Sequence, residues 1–413
     1  MKQFLIAVGS SAVRCIICKG KGLCGKPCPF TMRMKSTRLA SLPRDMSFMG
    51  SSPPSVFVGR ADYPRVRAGI LAPPTESEAA WQLDSPKFWF DEQKPVMDIV
   101  DMRQALLNSR FEVNVKKPNK VFDVFKELAM TDKVVDVEFK VEGLPTGGIN
   151  FDQFATPMGP AVDLLSAKLA ENAPVPAKIE SRINDEMKAA DAMTDLYGRG
   201  IDVYHLSRLL SAGLLGLEKK LVPTRWSITA VDDIVSKALL SSVRQNPSIN
   251  EFEVYHCKYL DNDFHVILLP GCWSFEQVEA YVSGTAWYCA KWAEPAIMKD
   301  REGYYGRKTY ASKVSGAYYA ARLEAASHLK ERGRQASCLI VRTIGPAYSV
   351  PLGVWQIREN VRGALAGAVQ KFPTLDAALN HIQESGCRVP KEVIMKESRI
   401  LRDARQQKSL LEF

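Results

Sequence analysis

The sequence predicts a mixed α/β (α+β) fold with a small cysteine-containing amino-terminal module, a helix-rich middle, a mixed sheet with helices in the carboxy-terminal half, and a protruding tail. Residues 133–141 alternate apolar and charged side chains with the period of a half-buried strand. Residues 178–197 carry apolar side chains at the i+3 and i+4 steps of a helix. Residues 252–269 form two β-rich runs, and the helical segments that follow them favour an α/β sandwich.

The composition is that of an ordinary globular chain of two or three domains. The chain has 413 residues, of which 46% are apolar and 24% are charged. No apolar run approaches the roughly 20 residues of a membrane span, so we expect a cytoplasmic protein without a membrane partner. The predicted units are a basic module (1–44), a mixed, helix-rich domain (45–245), an α/β domain (246–390) and a terminal helix with a tail (391–413).

The positive charge is concentrated at the amino terminus. The whole chain has 55 Lys and Arg against 46 Asp and Glu, a net charge of +9, and residues 1–44 hold all of this excess. A basic segment ahead of a balanced body indicates an anionic partner, most commonly nucleic acid. Charges that serve only solubility are the alternative. The basic residues of the segment are Lys2, Arg14, Lys19, Lys21, Lys26, Arg33, Lys35, Arg38 and Arg44.

Four cysteines in this segment have the spacing of a metal site. Cys15 and Cys18 form one close pair, and Cys24 and Cys28 form a second pair after five intervening residues. Glycine and proline beside them permit the tight turns that bring backbone amides near thiolates. We expect a structural zinc site, with an iron–sulfur cluster or disulfides as the alternatives. The other five cysteines show no ligand spacing and are expected to be small buried hydrophobes.

The remaining elements follow from periodicity and from the positions of proline. Residues 36–75 contain six prolines and are expected to be an extended connection broken by one strand at 56–58. A short turn at 261–263 is expected to join two strands into a hairpin. The predicted strands are 133–141, 252–259, 264–269 and 338–343, and the predicted helices are 98–107, 121–129, 160–170, 178–197, 202–212, 231–243, one from 274, 312–332, 354–370, 374–384 and 391–405.

Two segments combine cations with aromatic rings, which stack on bases and neutralise phosphates in nucleic-acid-binding proteins. One is the adjacent pair in residues 223–229, and the other is a glycine-containing loop at 299–313 that we expect to be mobile. A buried tryptophan and a loop whose tyrosines are fixed to the core are the alternatives. The candidate DNA-binding residues are Arg225, Trp226, Tyr304, Tyr305, Arg307, Lys308 and Tyr310.

A few carboxylates and histidines are candidates for metal chemistry. Asp232, Asp233 and Glu324 are the candidate catalytic ligands of a metal-dependent nuclease. Residues 229–232 also fit a helix capping box, and adjacent side chains do not share a helix face, which favours a structural role. His256 and His265 are expected on paired strands, where packed histidines are favoured over metal ligands.

The last seven residues have the pattern of a docking peptide. Gln407, Leu410 and Phe413 recur at i+3 and would share one face of a 3₁₀ turn. The two apolar side chains would enter a pocket on a partner while the glutamine satisfies its polar rim. A frayed terminus is the alternative.

Together these features resemble the archaeal DNA repair protein family NreA. The resemblance rests on the cysteine motif, on residues 54–60, 63–64, 69–74 and 223–229, and on the tail. It implies a role in repairing DNA damage with the sliding clamp PCNA, and nucleotide-excision repair proteins as further partners. It assigns zinc to Cys15, Cys18, Cys24 and Cys28, and PCNA binding to Gln407, Leu410 and Phe413.

We therefore expect a DNA repair factor that binds DNA, docks on PCNA through its tail, lies in the cytoplasm in association with the chromosome, and has no chemistry of its own. A metal-dependent nuclease is the first alternative. A nucleic-acid-binding zinc protein that acts on RNA is the second.

Overall fold

The computed structural model describes residues 46–115, 121–146, 148–282, 285 and 296–406, which form two six-stranded mixed sheets and their helices. The strands are β1 (Ser47–Ser52), β2 (Ser55–Val58), β3 (Arg65–Ala72), β4 (Leu107–Asn114), β5 (Val135–Thr146), β6 (Ala161–Leu169), β7 (Phe252–Tyr259), β8 (Asn262–Leu269), β9 (Ser274–Tyr281), β10 (Ala296–Glu302), β11 (Ser337–Ile344) and β12 (Gln370–Phe372). The helices are α1 (Pro86–Asp91), α2 (Val96–Gln104), α3 (Val121–Met130), α4 (Ala177–Ile183), α5 (Ala189–Gly198), α6 (Val203–Ser211), α7 (Thr224–Val243), α8 (Gly316–Glu331), α9 (Trp355–Ala366), α10 (Leu375–Glu384), α11 (Lys391–Glu397) and α12 (Arg399–Gln406), with a 3₁₀ helix at Glu78–Asp84.

The first sheet has the strand order β1-β5-β6-β4-β3-β2, and only β4 and β6 run parallel. One of its faces packs on α3, α5, α6 and the first half of α7 in a shared apolar core. The alternation of β3 shows how this face forms, because Val66, Ala68 and Ile70 are buried while Arg65 and Arg67 are exposed. The opposite face of β3 and β4 is therefore left for polar and charged groups.

The second sheet has the order β10-β9-β11-β8-β7-β12 and is covered on both faces, as predicted for an α/β sandwich. Helices α8 and α9 cover one face, and α10, α11 and α12 cover the other. Helix α7 connects the two sheets, because Val231 and Val235 lie in the core of the first sheet and Leu240 and Val243 in that of the second. The mixed α/β class is confirmed.

Several predicted elements are wrong, because strand pairing and burial in the two sheets override the local sequence pattern. Residues 47–72 form three strands rather than one, with the prolines in the turns between them. Residues 161–169 form β6, not a helix, because they supply the pairing between β5 and β4. Residues 274–281 also form a strand, since their helix-favouring glutamates are buried and paired with distant residues: Glu276 accepts from Ser398, and Glu279 pairs with Arg342.

Smaller differences concern element boundaries. The predicted helix 178–197 is two helices, α4 and α5, and the predicted terminal helix is α11 followed by α12. Helix α7 begins at Thr224, so residues 229–232 lie inside it and form no capping box. The hairpin turn consists of Leu260 and Asp261, both with positive φ, rather than residues 261–263.

Candidate nucleic-acid interface

A groove of about 900 Å³ lies on the polar face of the first sheet. Its walls are residues 57–62, strands β3 and β4, residues 146 and 148–161, and the first turn of α7. Five arginines line it against three carboxylates, so the lining carries a net charge of +2. The charged lining residues are Arg60, Arg65, Arg67, Arg110 and Arg225, with Asp62, Glu112 and Asp152. We name this feature the arginine groove.

Arg65 forms an ion pair with Glu112 at 3.0 Å, whereas Arg67 and Arg110 are only loosely paired. Arg67 lies 3.9 Å from Glu112 and 3.6 Å from Asp163, and Arg110 lies 4.0 Å from Asp163. Arg110 Nε is buried and has no hydrogen-bond partner among the described residues. Burial, with the charge of Arg67 as a second cause, lowers the pKa of Arg110. Like charges crowded in this way are stabilised by a bound anion, because the anion offsets their mutual repulsion.

Arg225 is placed at the end of the groove by the start of α7. The backbone N–H of Val58 at the end of β2 donates to Thr224 Oγ1 at 2.9 Å, which joins the helix to the first sheet. The Arg225 guanidinium lies 3.9 Å from the ring centre of Phe154 and 3.6 Å from Asp152. Burial chiefly lowers the pKa of Arg225, and the charge of Arg60 adds to this effect. The first turn of α7 contains no acidic residue, so its N–H groups and the two arginines favour an anion together.

Three half-exposed aromatic rings continue this surface, and we name Tyr63, Trp226 and Tyr310 the aromatic shelf. Their exposed fractions are 47%, 46% and 49%. The ring centres of Trp226 and Tyr63 lie 5.7 Å apart, and the ring of Tyr310 stacks on that of Tyr319 with 5.3 Å between their centres. A second pocket, of about 490 Å³, contains Trp226 and Tyr310 and shares Arg60 and Arg225 with the groove. The cations and the rings therefore form one continuous surface.

The structure brings only some of the predicted DNA-binding residues together. Arg225, Trp226 and Tyr310 meet in this second pocket although the tyrosine is more than 80 residues away in the sequence. Tyr304 lies at the other end of α7, where its hydroxyl donates to the carbonyl of Arg244 at 3.3 Å. At about 1.5 Å per helical residue, that end is about 29 Å from Arg225. Tyr305 packs on Tyr304 there and is almost fully exposed.

Residues 299–302 of the predicted loop belong to β10, and Arg307 connects the rest of the loop to neighbouring backbone. Its guanidinium donates to the carbonyls of Arg301, Thr309 and Tyr310 and forms an ion pair with Asp300 at 3.1 Å. These contacts hold the Arg307 guanidinium against the backbone of its own loop and of β10. Lys308, which follows it, is exposed.

The candidate catalytic carboxylates are paired with arginines. Both oxygens of Asp232 lie 2.6 Å from Arg358, and both side chains are buried. Asp233 pairs with Arg322 at 2.5 Å, and Glu324 pairs with Arg362 at 2.9 Å. Burial raises the pKa of Asp232. The three carboxylates do not converge on a shared metal position among the described residues, so this geometry favours a structural network between α7, α8 and α9.

Sequence reasoning missed Arg60, Tyr63, Arg65, Arg67 and Arg110. The available signal was the alternation of arginine with apolar residues at 65–70, which has the period of a strand. The prolines around this segment instead led to the expectation of an extended connection over residues 36–75.

Residues 23–288 match the family described as "Archaeal Nre, N-terminal", and residues 302–413 match "Archaeal Nre, C-terminal". The chain belongs to the archaeal Nre family. DNA repair protein NreA of Haloferax volcanii is 40% identical over 82% of this chain and 83% of its own length. DNA repair protein NreB of Archaeoglobus fulgidus is 37% identical over 90% and 92%, and NreA of that organism is 37% identical over 89% and 92%. No solved structure matches this Nre-family chain.

The family predicted from the sequence motifs is confirmed. The predicted zinc ligands Cys15, Cys18, Cys24 and Cys28 and the predicted PCNA anchors Gln407, Leu410 and Phe413 lie outside the described residues. Among the helices that are described, none combines the length and the apolar character that crossing a membrane requires.

Proposed function

We propose that this chain is a DNA repair factor that binds single-stranded DNA along the arginine groove and the aromatic shelf. The observation that carries the proposal is the continuity of the two features, since Arg60 and Arg225 line both pockets. Proteins that bind single strands combine a basic groove along the backbone with aromatic rings on which bases stack. The repair role rests on the relatives, which are DNA repair proteins at 37–40% identity.

Two further parts of the proposal concern the ends of the chain. The four amino-terminal cysteines bind structural zinc and hold the basic segment in a shape that adds phosphate contacts. The tail, residues 407–413, docks on the sliding clamp PCNA. It directly follows α12, whose start is capped by the buried Glu276: this carboxylate accepts from Ser398 Oγ at 2.7 Å and from the backbone N–H groups of Arg399 and Ile400 at 3.1 and 3.0 Å. An anchored helix gives the tail a defined point of departure.

The test compares two tryptophans of equal exposure. Trp226 and Trp81 are 46% and 45% exposed, but only Trp226 belongs to the aromatic shelf. Base stacking is worth about 1–3 kcal/mol, so Trp226→Ala weakens binding of a labelled single-stranded DNA oligonucleotide about 5- to 150-fold in fluorescence anisotropy. Trp81→Ala leaves the affinity unchanged.

Equal affinity of the wild type and Trp226→Ala refutes the shelf as a DNA contact. The same titration with RNA of identical sequence separates the RNA-binding alternative, which predicts tighter binding of the RNA. Incubating damaged and undamaged DNA with magnesium or manganese tests the nuclease alternative, and the proposal predicts intact DNA.

A further inference from the structure

Three side chains outside the groove converge at the β7–β8 hairpin. His256 and His265 stand directly opposite each other in the strand register, and their rings stack at 4.6 Å. Asp263, two residues before His265 on the same face of β8, completes the group. One ligand atom from each residue lies within 4.8 Å of the others. Asp263 Oδ1 is 2.6 Å from His256 Nε2 and 3.9 Å from His265 Nδ1.

The hydrogen bonds of Ser385 determine which nitrogen of His265 carries the proton. Ser385, directly after α10, donates its hydroxyl proton to the carbonyl of Ile382 at 2.9 Å. Its oxygen must therefore accept from His265 Nε2, which lies 3.1 Å away. The proton of the neutral ring is then on Nε2, and Nδ1 presents a bare lone pair.

This lone pair is buried and faces another acceptor. His265 is fully buried, and its Nδ1 has no hydrogen-bond partner among the described residues. The nearest carboxylate oxygen, Asp263 Oδ1, is 3.9 Å away and also offers only lone pairs. A buried polar atom without a partner is costly, and two acceptors that face each other are stabilised by a cation between them.

We propose that His256, Asp263 and His265 form a binding site for a divalent transition-metal ion, with Zn²⁺ as its simplest occupant. Two imidazole nitrogens and one carboxylate are a ligand set that zinc and ferrous ions accept, with the remaining positions left to water or substrate. The His256 side chain is 40% exposed, which leaves that side of the site open to solvent. On binding, the metal replaces the hydrogen bond between His256 Nε2 and Asp263, which is 2.6 Å long, and the proton of the neutral His256 ring moves to Nδ1, so that Nε2 presents its lone pair to the metal. The Ser385 contact holds the His265 ring in the metal-binding tautomer, as hydrogen bonds to the non-ligating nitrogen do for histidine ligands in other metal sites.

The test measures zinc content and Co²⁺ absorption of the full-length chain. His256→Ala is the main variant because the histidine side chain that it removes is partly exposed. Asp263→Asn is the second variant, because asparagine has nearly the same shape as aspartate. His381→Gln is the control, because this neighbouring ring packs on Phe372 and supplies none of the three ligand atoms. Elemental analysis should show one metal equivalent fewer in both variants than in the wild type and the control.

The Co²⁺ spectrum separates this site from the cysteines at the amino terminus. Thiolates give intense charge-transfer bands, whereas a site of nitrogen and oxygen ligands gives only weak visible bands. His256→Ala should lose weak bands and keep the charge-transfer bands. Ser385→Ala should lower the Zn²⁺ affinity of this site about 10- to 100-fold. Equal metal content and equal spectra in the wild type, His256→Ala and Asp263→Asn would overturn the proposal.

Discussion

The ion pair between Asp232 and Arg358 gives the strongest stability prediction. Both carboxylate oxygens lie 2.6 Å from the guanidinium, and both side chains are buried where α7 meets α9. Asp232→Ala leaves the arginine charge buried without its partner, which costs about 3–5 kcal/mol. We therefore expect the free energy of unfolding, measured by urea denaturation with circular dichroism, to fall by this amount. Asp191→Ala, which removes an exposed carboxylate from α5, should change it by less than about 0.5 kcal/mol.

The double variant Asp232→Leu with Arg358→Met makes this test specific. Apolar residues of similar volume replace a buried ion pair at little or no cost, so the double variant should recover most of the stability. A loss below about 1 kcal/mol for Asp232→Ala would refute the reasoning. If magnesium or manganese stabilised the wild type but not Asp232→Ala, the carboxylate would be a metal ligand, as the nuclease alternative requires.

Three more predictions concern histidine, zinc and the tail. Burial lowers the pKa of His205 to about 3, below its ordinary value of 6.5, so the unfolded chain binds the extra proton and stability falls as the pH drops below 6.5. Between pH 7 and pH 5 this costs about 2 kcal/mol, and urea denaturation should show a smaller pH dependence for His205→Gln. Cys24→Ser should release about one zinc per chain in elemental analysis, and unchanged metal content would contradict a zinc module. Phe413→Ala should weaken PCNA binding about 10- to 150-fold in calorimetry, whereas equal affinity would exclude the tail as the docking motif.

Local patterns predicted much of the fold. Helix α6 follows the capping residue Asp202, whose carboxylate accepts from the backbone N–H of His205, and both the cap and the apolar spacing are visible in the sequence. The hairpin β7–β8 and strand β11 are similarly evident from β-rich runs. Strands β6 and β9 were missed because each lies between two strands, one of them distant in the sequence (β4 for β6 and β11 for β9), and such tertiary pairing overrides local propensity.

The candidate site was only partly predicted, because several of its residues come together through contacts between distant parts of the sequence. Arg225 and Trp226 are adjacent in the sequence, so their combined chemistry could be recognised directly. Arg60 and Arg110 reach the same groove only through the pairing of β3 with β4 and the attachment of α7 to β2. The arginine that neutralises Asp232 lies 126 residues away, so sequence alone could not distinguish a structural pair from a metal ligand.

The salt dependence of DNA binding tests the central claim most directly. Each phosphate contact with a single strand contributes about −0.7 to the slope of log K against log salt concentration. Replacing Arg60, Arg67 and Arg225 with glutamine should therefore reduce the slope by about 2 and weaken binding at low salt. Arg334→Gln, which removes an exposed arginine outside the groove, should leave both unchanged. A triple variant with the affinity and the slope of the wild type would contradict the assignment of the groove to DNA.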